Sequence, residues 1–321
     1  GIIRGNAEVT GLRVTPTAHR GEGLDEALRR GADVLRRAGI EQYRADAELL
    51  AAYLLDTDSQ GIQGGSYGKT HVTRADVQRF ALMGRRITPQ DSVRYMELLE
   101  RRAQRVPLQH ITGVAPFYHL EMKVGPGVFI PRPETELLVE EALRVLATYE
   151  SNARPRVVDL CTGSGAIAAA IKEENPQAEV FAVELSEQAL LWARKNLDPQ
   201  NVHLIPGDIR TSLEDLPGYF DLVLSNPPYI PSHSKPQAPE VAEYDPQMAL
   251  YGGGEEGMEI PREVIARAHY LLRPGGFFMM EHDDSQETRV AETLAAQGFV
   301  SIYSIQDLNG KPRHTAGYKP R

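Results

Sequence analysis

The sequence predicts an α/β fold in which a doubly wound, largely parallel sheet follows a small helical domain. From about residue 133 onward, short apolar segments of strand length alternate with segments of helical period, an order typical of parallel strands joined by helices. Before residue 107, apolar residues recur mainly at three- and four-residue spacings, which indicates helices. A chain of 321 residues is also long for a single domain. We therefore expect two domains of different architecture.

The N-terminal part is predicted to be a helical domain over residues 24–106. Residues 1–23 show no clear periodicity, and we expect them to form a poorly ordered extension. Thr73 and Asp76 stand at the spacing of a capping box, which favours a helix start there. The glycine-rich stretch 56–70 is expected to be a loop. The apolar spacing predicts helices over 24–39, 43–55, 73–83 and 92–105.

Residues 107–132 differ in character and are expected to link the two domains. Between residues 113 and 130, apolar side chains approach the alternation of short strands. Gly125-Pro126-Gly127 lies within this stretch and is typical of a turn. We expect a β-hairpin linker built around these three residues.

Residues 133–321 are predicted to form the sheet domain. Ligands of such sheets bind at the carboxyl ends of the strands, where the strand order reverses. The residues that follow the strands are therefore the candidates for a site. Strands are expected at 157–160, 180–183, 202–205, 220–224, 277–281, 299–306 and 314–318, and helices at 134–146, 165–174, 186–196, 261–272 and 286–297.

A glycine loop follows the first of these strands and begins at Asp159. Gly163 and Gly165 allow a tight turn and let a ligand approach the backbone. Two acids follow the next two strands. Glu184 is placed to accept hydrogen bonds from ribose hydroxyls, and Asp208 to accept one from an adenine amino group. A helix cap or a surface charge is the alternative for either acid alone, whereas the ordered set favours a nucleoside ligand.

The loop favours a nucleoside without a pyrophosphate. A dinucleotide-binding loop would read Gly-x-Gly-x-x-Gly, and the third glycine is missing here. Asp159 would repel phosphate but attract an ammonium and a sulfonium group. S-adenosyl-L-methionine carries both of these groups, so we expect it to be the cofactor.

Asn226-Pro227-Pro228-Tyr229, after the fourth strand, is the most specific feature of the sequence. An amide or aromatic amine nitrogen is a poor nucleophile because its lone pair is delocalised, so a methylating site must hold its NH2 group and aim the nitrogen. The Asn226 side-chain oxygen and the Pro227 carbonyl are the predicted acceptors. The prolines fix the turn, and Tyr229 offers a flat face for a planar group. Positioning of the substrate nitrogen would supply most of the rate enhancement. The alternative interpretation of this segment is an ordinary proline-rich turn after a strand.

The order of these segments resembles that of the peptide chain release factor glutamine N5-methyltransferases, the PrmC/HemK family. Asn-Pro-Pro-Tyr alone is shared with adenine N6-methyltransferases, whereas the segment from Ile130 to Thr135 is specific to the release-factor family. The similarity runs from about residue 107 to the end and includes Pro107–Gly113, Phe129-Ile130-Pro131-Arg132-Pro133-Glu134-Thr135-Glu136, Ser225–Ile230, Glu281-His282 and Asp307-x-x-Gly310-x-x-Arg313.

The resemblance implies a Rossmann-like class I methyltransferase sheet, and a substrate that is the glutamine in the Gly-Gly-Gln motif of class I peptide chain release factors. It implies that the helical domain helps to hold the factor, and that the substrate glutamine sits on Asn226 to Tyr229, Pro228 included. Cys161 departs from the family, which usually has glycine there. With Asp159 and Asp208 from the reasoning above, the expected cofactor contacts are Cys161, Thr162, Gly163, Ser164, Gly165, Glu184, Ile209 and Asn226.

Charge argues against a nucleic-acid partner. Residues 1–106 carry 17 basic and 14 acidic side chains, and the remainder carries 18 and 30, within a net charge of −9. An acidic catalytic domain is a poor docking surface for phosphates. The rival reading, an N6-adenine methyltransferase acting on DNA or RNA, would need a basic groove. A second rival, a non-catalytic cofactor-binding scaffold, would usually have lost the acceptor residues that this chain keeps.

Other residues limit the remaining interpretations. Cys161 is the single cysteine, which excludes an intrachain disulfide and suits a reducing cytoplasm. No apolar run approaches the roughly 20 residues that span a bilayer. The histidines lack metal-ligand spacing, so no metal is expected. Trp192 is expected to pack in the core. We therefore expect a cytoplasmic monomer without a membrane segment.

Overall fold

The computed structural model describes residues 21–63, 71–232 and 246–321. The chain divides into two compact units between Thr112 and Gly113. Most of the predicted N-terminal extension, residues 1–20, lies outside the described range, as do residues 64–70 of the predicted loop. No helix among the described residues has the length and apolar character that a bilayer crossing requires.

The first unit is a helical bundle, as predicted. Its helices are α1 (Leu24–Arg37), α2 (Tyr43–Gln63), α3 (Arg74–Leu82), α4 (Pro89–Ala103) and α5 (Leu108–Thr112), and β1 (Glu22–Gly23) pairs with β2 (Arg86–Ile87). Thr73 and Asp76 form the predicted capping box. β1 means that residues 22 and 23 belong to the folded unit rather than to an extension.

Helix α2 corrects one expectation, because it continues through residues 56–63, where a loop was predicted. Its earlier turns are anchored by Leu50 and Leu54, both almost fully buried. Gly61 costs a helix only about 1 kcal/mol relative to alanine, which is too little to end a helix anchored in this way.

The second unit opens with a hairpin of β3 (Val114–Phe117) and β4 (Leu120–Lys123). Its turn is Tyr118-His119, with φ of +43° and +68°, so the hairpin is not built around Gly125-Pro126-Gly127 as predicted. Pro126 and Gly127 form a separate turn after β4. Two positive φ values give a two-residue turn whose twist matches the strands. The glycine segment has a packing role instead. A Cβ on Gly125 would lie 2.2 Å from the Trp192 ring, and Trp192 Nε1 donates to the Pro126 carbonyl at 3.0 Å.

A seven-stranded sheet forms the centre of this unit and confirms the predicted fold class. The strands are β5 (Arg156–Leu160), β6 (Glu179–Glu184), β7 (His203–Pro206), β8 (Phe220–Ser225), β9 (Leu272–Glu281), β10 (Val300–Gln306) and β11 (Pro312–Tyr318). The strand order is β10-β11-β9-β8-β5-β6-β7. All neighbours are parallel except β11, which runs antiparallel to β9 and β10.

Helices cover both faces of the sheet. They are α6 (Glu136–Leu146), α7 (Ala166–Glu174), α8 (Glu187–Leu197), α9 (Gln247–Leu250), α10 (Glu259–Leu271) and α11 (Glu287–Gln297). Two apolar clusters form, one containing side chains of the hairpin and of α6 to α8, and the other containing side chains of α10 and α11.

The strand order reverses at β5, which lies between β6 and β8. The edge of the sheet at the carboxyl end of β5 is therefore where a ligand is expected.

Strand β9 differs from its prediction at its start. The strand was predicted over 277–281, but it begins at Leu272, and its pairing with β8 is irregular between Leu272 and Phe277. Because Gly276 has no side chain, β9 can pass close to the carbonyl of Asp221, 3.2 Å from where a Cβ would stand.

Candidate active site

A cavity of about 500 Å³ lies at the carboxyl ends of β5, β6, β7 and β8. This volume is in the range of small-molecule sites. Most of the residues predicted for the site line it, but Asp159 and Gly165 do not. The predicted residues in its wall are Cys161, Thr162, Gly163, Ser164, Glu184, Asp208, Ile209, Asn226, Pro227, Pro228 and Tyr229.

The glycine loop has a left-handed backbone at three positions. Cys161, Gly163 and Gly165 have φ values of +64°, +60° and +92°. Gly165 is the N-cap of α7, and a Cβ there would lie 2.8 Å from Leu197 Cγ. A Cβ on Gly163 would meet no described atom within 4 Å, so the backbone is open to the cavity at this point. Cys161 adopts the conformation that favours glycine, which explains why glycine is usual there.

Glu184, at the end of β6, holds this loop in place. One carboxylate oxygen accepts a hydrogen bond from the Gly163 N–H at 2.7 Å, and the other accepts one from the Ser186 N–H at 2.9 Å. Burial raises the pKa of Glu184 above its usual range, against the lowering effect of these N–H donors. A carboxylate oxygen can accept more than one hydrogen bond, so Glu184 retains acceptor capacity on the cavity side.

Asp159 supports the loop from beneath instead of facing the cavity. It is 1% exposed, and its Oδ2 accepts a hydrogen bond from Thr162 Oγ1 at 2.5 Å. Burial raises the pKa of Asp159 to about 7. Asp159 is not among the residues that line the cavity. Asp159 instead fixes Thr162, which does line the cavity.

Asp208 is engaged by a neighbouring cation. Arg210 Nη2 donates to Asp208 Oδ2 at 2.6 Å, and the Arg210 guanidinium holds the pKa of Asp208 below its usual range. An amino group that bound Asp208 would therefore share this carboxylate with Arg210. Ile209, which is 7% exposed, adds an apolar surface beside it.

The Asn226 amide is held on one side only. Its Nδ2 donates to Thr135 Oγ1 at 3.4 Å, and no described residue donates to its Oδ1. The Pro227 carbonyl likewise accepts no hydrogen bond from the described residues, and both prolines lack an N–H. Asn226 and Pro227, both in the cavity wall, therefore each keep an acceptor oxygen that has no partner among the described residues.

Tyr229 is fixed at both ends. Its hydroxyl donates to Glu281 Oε2 at 3.2 Å, and its carbonyl accepts from Gln286 Nε2 at 2.7 Å. Burial raises the pKa of Tyr229 well above its usual value, with a further increase from Glu281, so the hydroxyl remains a donor. The ring orientation is therefore set by the protein before any substrate group stacks on it.

Two segments of the cavity wall were missed by reasoning from residue chemistry. One is the Gly127–Thr135 region, which was quoted for its resemblance without a derived role. The other is 246–251, followed by glycines that approach the Tyr229 backbone. A Cβ on Gly257 would lie 2.2 Å from the Tyr229 carbonyl oxygen. The cluster of glycines at 252–254 was the available indication of this close approach.

Comparisons with known proteins agree along nearly the whole chain. The PrmC N-terminal domain family matches residues 26–113, and the methyltransferase small domain family matches residues 125–242. A release factor glutamine methyltransferase of Bifidobacterium longum is 41% identical over 304 residues, which cover 91% of this chain and 98% of that protein. The proteins of the same name from Streptomyces coelicolor and Mycolicibacterium smegmatis are 43% and 40% identical, covering 92% and 90% of this chain and 96% and 95% of theirs.

Proposed function

The chain belongs to the release factor glutamine methyltransferase family, and we propose that it transfers a methyl group from S-adenosyl-L-methionine to the side-chain N5 of the glutamine in the Gly-Gly-Gln motif of class I peptide chain release factors. The single observation that carries this proposal is the Asn226 amide. Its nitrogen lies 3.4 Å from Thr135 Oγ1, its oxygen has no hydrogen-bond partner among the described residues, and both Asn226 and Pro227 line the cavity.

The cavity fits the cofactor chemically. Glu184 offers carboxylate oxygens to a ribose, and the open backbone at Gly163 permits close approach. Ile209 and Leu185 supply apolar surface for a flat base. S-adenosyl-L-methionine, when bound, would supply a methyl group on a positively charged sulfur; the neutral thioether would leave, and the methylated nitrogen would release one of its two protons to water.

The protein's own part is to hold the amide. The two N–H bonds of a primary amide would donate to Asn226 Oδ1 and to the Pro227 carbonyl, which leaves the nitrogen lone pair facing away from both. Tyr229, fixed by Glu281 and Gln286, supplies the surface against which the planar amide rests. Holding a weak nucleophile in one orientation removes much of the entropic barrier to its reaction.

A protein substrate is favoured over a nucleic acid by the charge of the cavity wall. Arg132 and Arg210 are its basic residues, against a larger number of acids: Glu134, Glu184, Asp208, Glu259 and Glu263. A phosphate backbone would meet net repulsion there. We therefore do not favour the adenine N6-methyltransferase. The non-catalytic scaffold is not favoured because Asn226 and both prolines are kept. We propose a monomer that acts in the cytoplasm, where its substrate works.

Mass spectrometry tests this proposal. A purified class I release factor is incubated with this protein and S-adenosyl-L-methionine, and the peptide containing Gly-Gly-Gln is sequenced. We expect one added methyl group on the glutamine. A factor with asparagine in place of that glutamine is the control. Methylation of oligonucleotides, with an unmodified factor, would overturn the proposal in favour of the adenine enzyme.

A further inference from the structure

Asn226 contacts a buried polar cluster. We name it the Glu281 cluster, and its members are Thr135, Tyr229, Glu281 and His314. Glu281 is 2% exposed and Thr135 is 3% exposed. Glu281 Oε1 accepts from Thr135 Oγ1 at 2.7 Å and lies 3.0 Å from His314 Nε2, while Oε2 accepts from Tyr229. These partners come from before α6, from β11 and from the segment after β8, so one carboxylate connects three parts of the unit.

The Thr135 hydroxyl is directed away from the helix that follows it. Thr135 has a helical backbone, with φ of −66° and ψ of −21°, where a 3-10 turn over Pro133–Thr135 runs into α6. Its hydroxyl makes no hydrogen bond to a backbone N–H of α6 and donates to Glu281 instead. The hydroxyl therefore serves the Glu281 cluster and does not cap the helix.

The number of protons available for hydrogen bonding determines the orientation of the Asn226 side-chain amide. A hydroxyl has a single proton, and that of Thr135 is directed to Glu281, which can only accept when ionised. Thr135 Oγ1 is therefore left as an acceptor toward Asn226. Only the NH2 end of the Asn226 amide satisfies an acceptor, so the amide oxygen must face away from Thr135 and stay available to a substrate. A flipped amide would place two acceptors against each other.

The hydrogen bonds from Asn226 to Thr135 and from Thr135 to Glu281 also make Asn226 Oδ1 a stronger hydrogen-bond acceptor. Hydrogen bonds in series polarise one another when they are buried. A carboxylate at the end of the series Asn226–Thr135–Glu281 draws the amide protons of Asn226 toward itself and increases the negative charge on Oδ1. The amide nitrogen of a substrate becomes more positive as it is methylated, so an electron-rich Oδ1 stabilises that state more than the ground state.

We propose that Thr135 is a positioning residue, directed by Glu281, that orients and polarises the Asn226 amide for catalysis. This inference rests on the proposed function, since it assigns a rate effect to that reaction. It adds a specific role for the threonine of the Ile-Pro-Arg-Pro-Glu-Thr segment and for the glutamate that ends β9.

Kinetics with an isosteric pair of variants tests the proposal. Thr135→Val keeps the shape of the side chain but removes the hydroxyl, and we expect kcat to fall about 10- to 30-fold while KM for the release factor and Kd for the cofactor stay within about twofold. Thr135→Ser restores the hydroxyl and should recover the rate to within about threefold. Thr148→Val, which removes a hydroxyl bonded to the Val145 carbonyl near the other end of α6, should behave as the native protein. A native kcat in Thr135→Val would overturn the proposal.

A second measurement needs no methyl transfer and so separates this inference from the proposed function. The side-chain NH2 resonances of Asn226, assigned by their loss in Asn226→Asp, should shift or broaden in Thr135→Val and return in Thr135→Ser. Unchanged resonances in Thr135→Val would refute the orienting contact even if the native protein were active. Native protein that leaves release factors unmodified, with the resonances behaving as expected, would refute the function and leave the contact standing.

Discussion

Glu184 at the end of β6 accepts a hydrogen bond at 2.7 Å from the backbone N–H of Gly163, in the loop that follows β5. One carboxylate therefore fixes the loop backbone and faces the space where a ribose is expected. Thr162 N–H adds a second link between the same two elements, donating to the Val183 carbonyl at 2.9 Å. The cofactor loop is held mainly by the strand next to it.

Removal of this carboxylate should weaken cofactor binding. In Glu184→Ala the N–H groups of Gly163 and Ser186 lose their acceptor, and the ribose hydroxyls lose theirs. We expect Kd for S-adenosyl-L-methionine, measured by titration calorimetry, to rise at least about tenfold, or 1.4 kcal/mol. Glu187→Ala, an exposed acid three residues further on, is the matched control and should bind normally. Equal affinities for the two variants would contradict the role given to Glu184.

Asn226 should affect turnover far more than it affects folding. In Asn226→Ala the substrate amide loses one of two acceptors, and kcat should fall about 100-fold, as it does when one positioning donor or acceptor is lost elsewhere. Rates are measured with purified release factor at saturating cofactor. Asn309→Ala, at an exposed hairpin tip, is the control. Full transfer by Asn226→Ala would favour a non-catalytic role for this site.

Asp159 should make the stability of the second unit depend on pH. Burial raises its pKa to about 7, whereas an unfolded aspartate has a pKa of about 4. Between these values the folded state binds more protons than the unfolded state, so its stability falls as pH rises from about 4 to 7 and then levels off.

Asp159→Asn cannot ionise and lacks this dependence. The difference in unfolding free energy, variant minus native, should therefore increase by roughly 2 to 3 kcal/mol between pH 5 and pH 8. Urea unfolding followed by fluorescence of Trp192, the single tryptophan, reports on the second unit alone. A difference that stays constant with pH would show that Asp159 is ionised throughout this range.

The spacing of apolar residues was sufficient to predict the sheet and the residues that follow its strands. This spacing follows directly from which faces of the strands and helices are buried. Prediction from spacing failed where the deciding interaction is distant in sequence. The hairpin turn falls at Tyr118-His119, whereas Gly125 and Pro126 pack on Trp192, a contact that no local pattern reveals.

The cavity wall shows the same division. Glu184 and Asn226 could be identified from their places after strands. The role of Thr135 could not, since the sequence placed it inside a helix predicted over 134–146, and only the folded structure brings Glu281 within 2.7 Å of its hydroxyl. Asp159 was expected at the ligand for its charge, and its burial depends on packing that the loop sequence does not encode.

Cys161 offers a test of backbone strain in the glycine loop. With φ of +64°, a residue with a side chain costs about 1 to 2 kcal/mol, part of which glycine would regain. We expect Cys161→Gly to raise the unfolding free energy by about 0.5 to 1 kcal/mol and Cys161→Val to lower it by about 2, because β-branched residues tolerate this region least. Urea unfolding followed by Trp192 fluorescence measures both. If valine were tolerated as well as glycine, the strain would be absent.

Substitution of Gly31 in α1 by alanine would improve helix propensity but would disturb the packing of the first unit. Replacing a glycine within a helix by alanine ordinarily stabilises by up to about 1 kcal/mol. Here a Cβ on Gly31 would lie 2.7 Å from the Tyr95 hydroxyl and 3.2 Å from Leu99. Tyr95 is fully buried, and its hydroxyl donates to the Ala47 carbonyl at 2.8 Å, so it cannot move without breaking that bond. We expect Gly31→Ala to lower the melting temperature and to destabilise by about 1 to 3 kcal/mol.

A double-mutant cycle isolates the cause. Tyr95→Phe removes the hydroxyl that the new methyl group would strike, at the cost of one buried hydrogen bond of about 1 kcal/mol. If the contact is responsible, Gly31→Ala should be much less harmful in the Tyr95→Phe background, with a coupling energy of at least about 1 kcal/mol. Circular dichroism at 222 nm records the helices of both units, and fluorescence of Trp192 identifies the part of the transition that belongs to the second unit. Additive effects of the two substitutions would mean that Gly31 is required for some reason other than its approach to Tyr95.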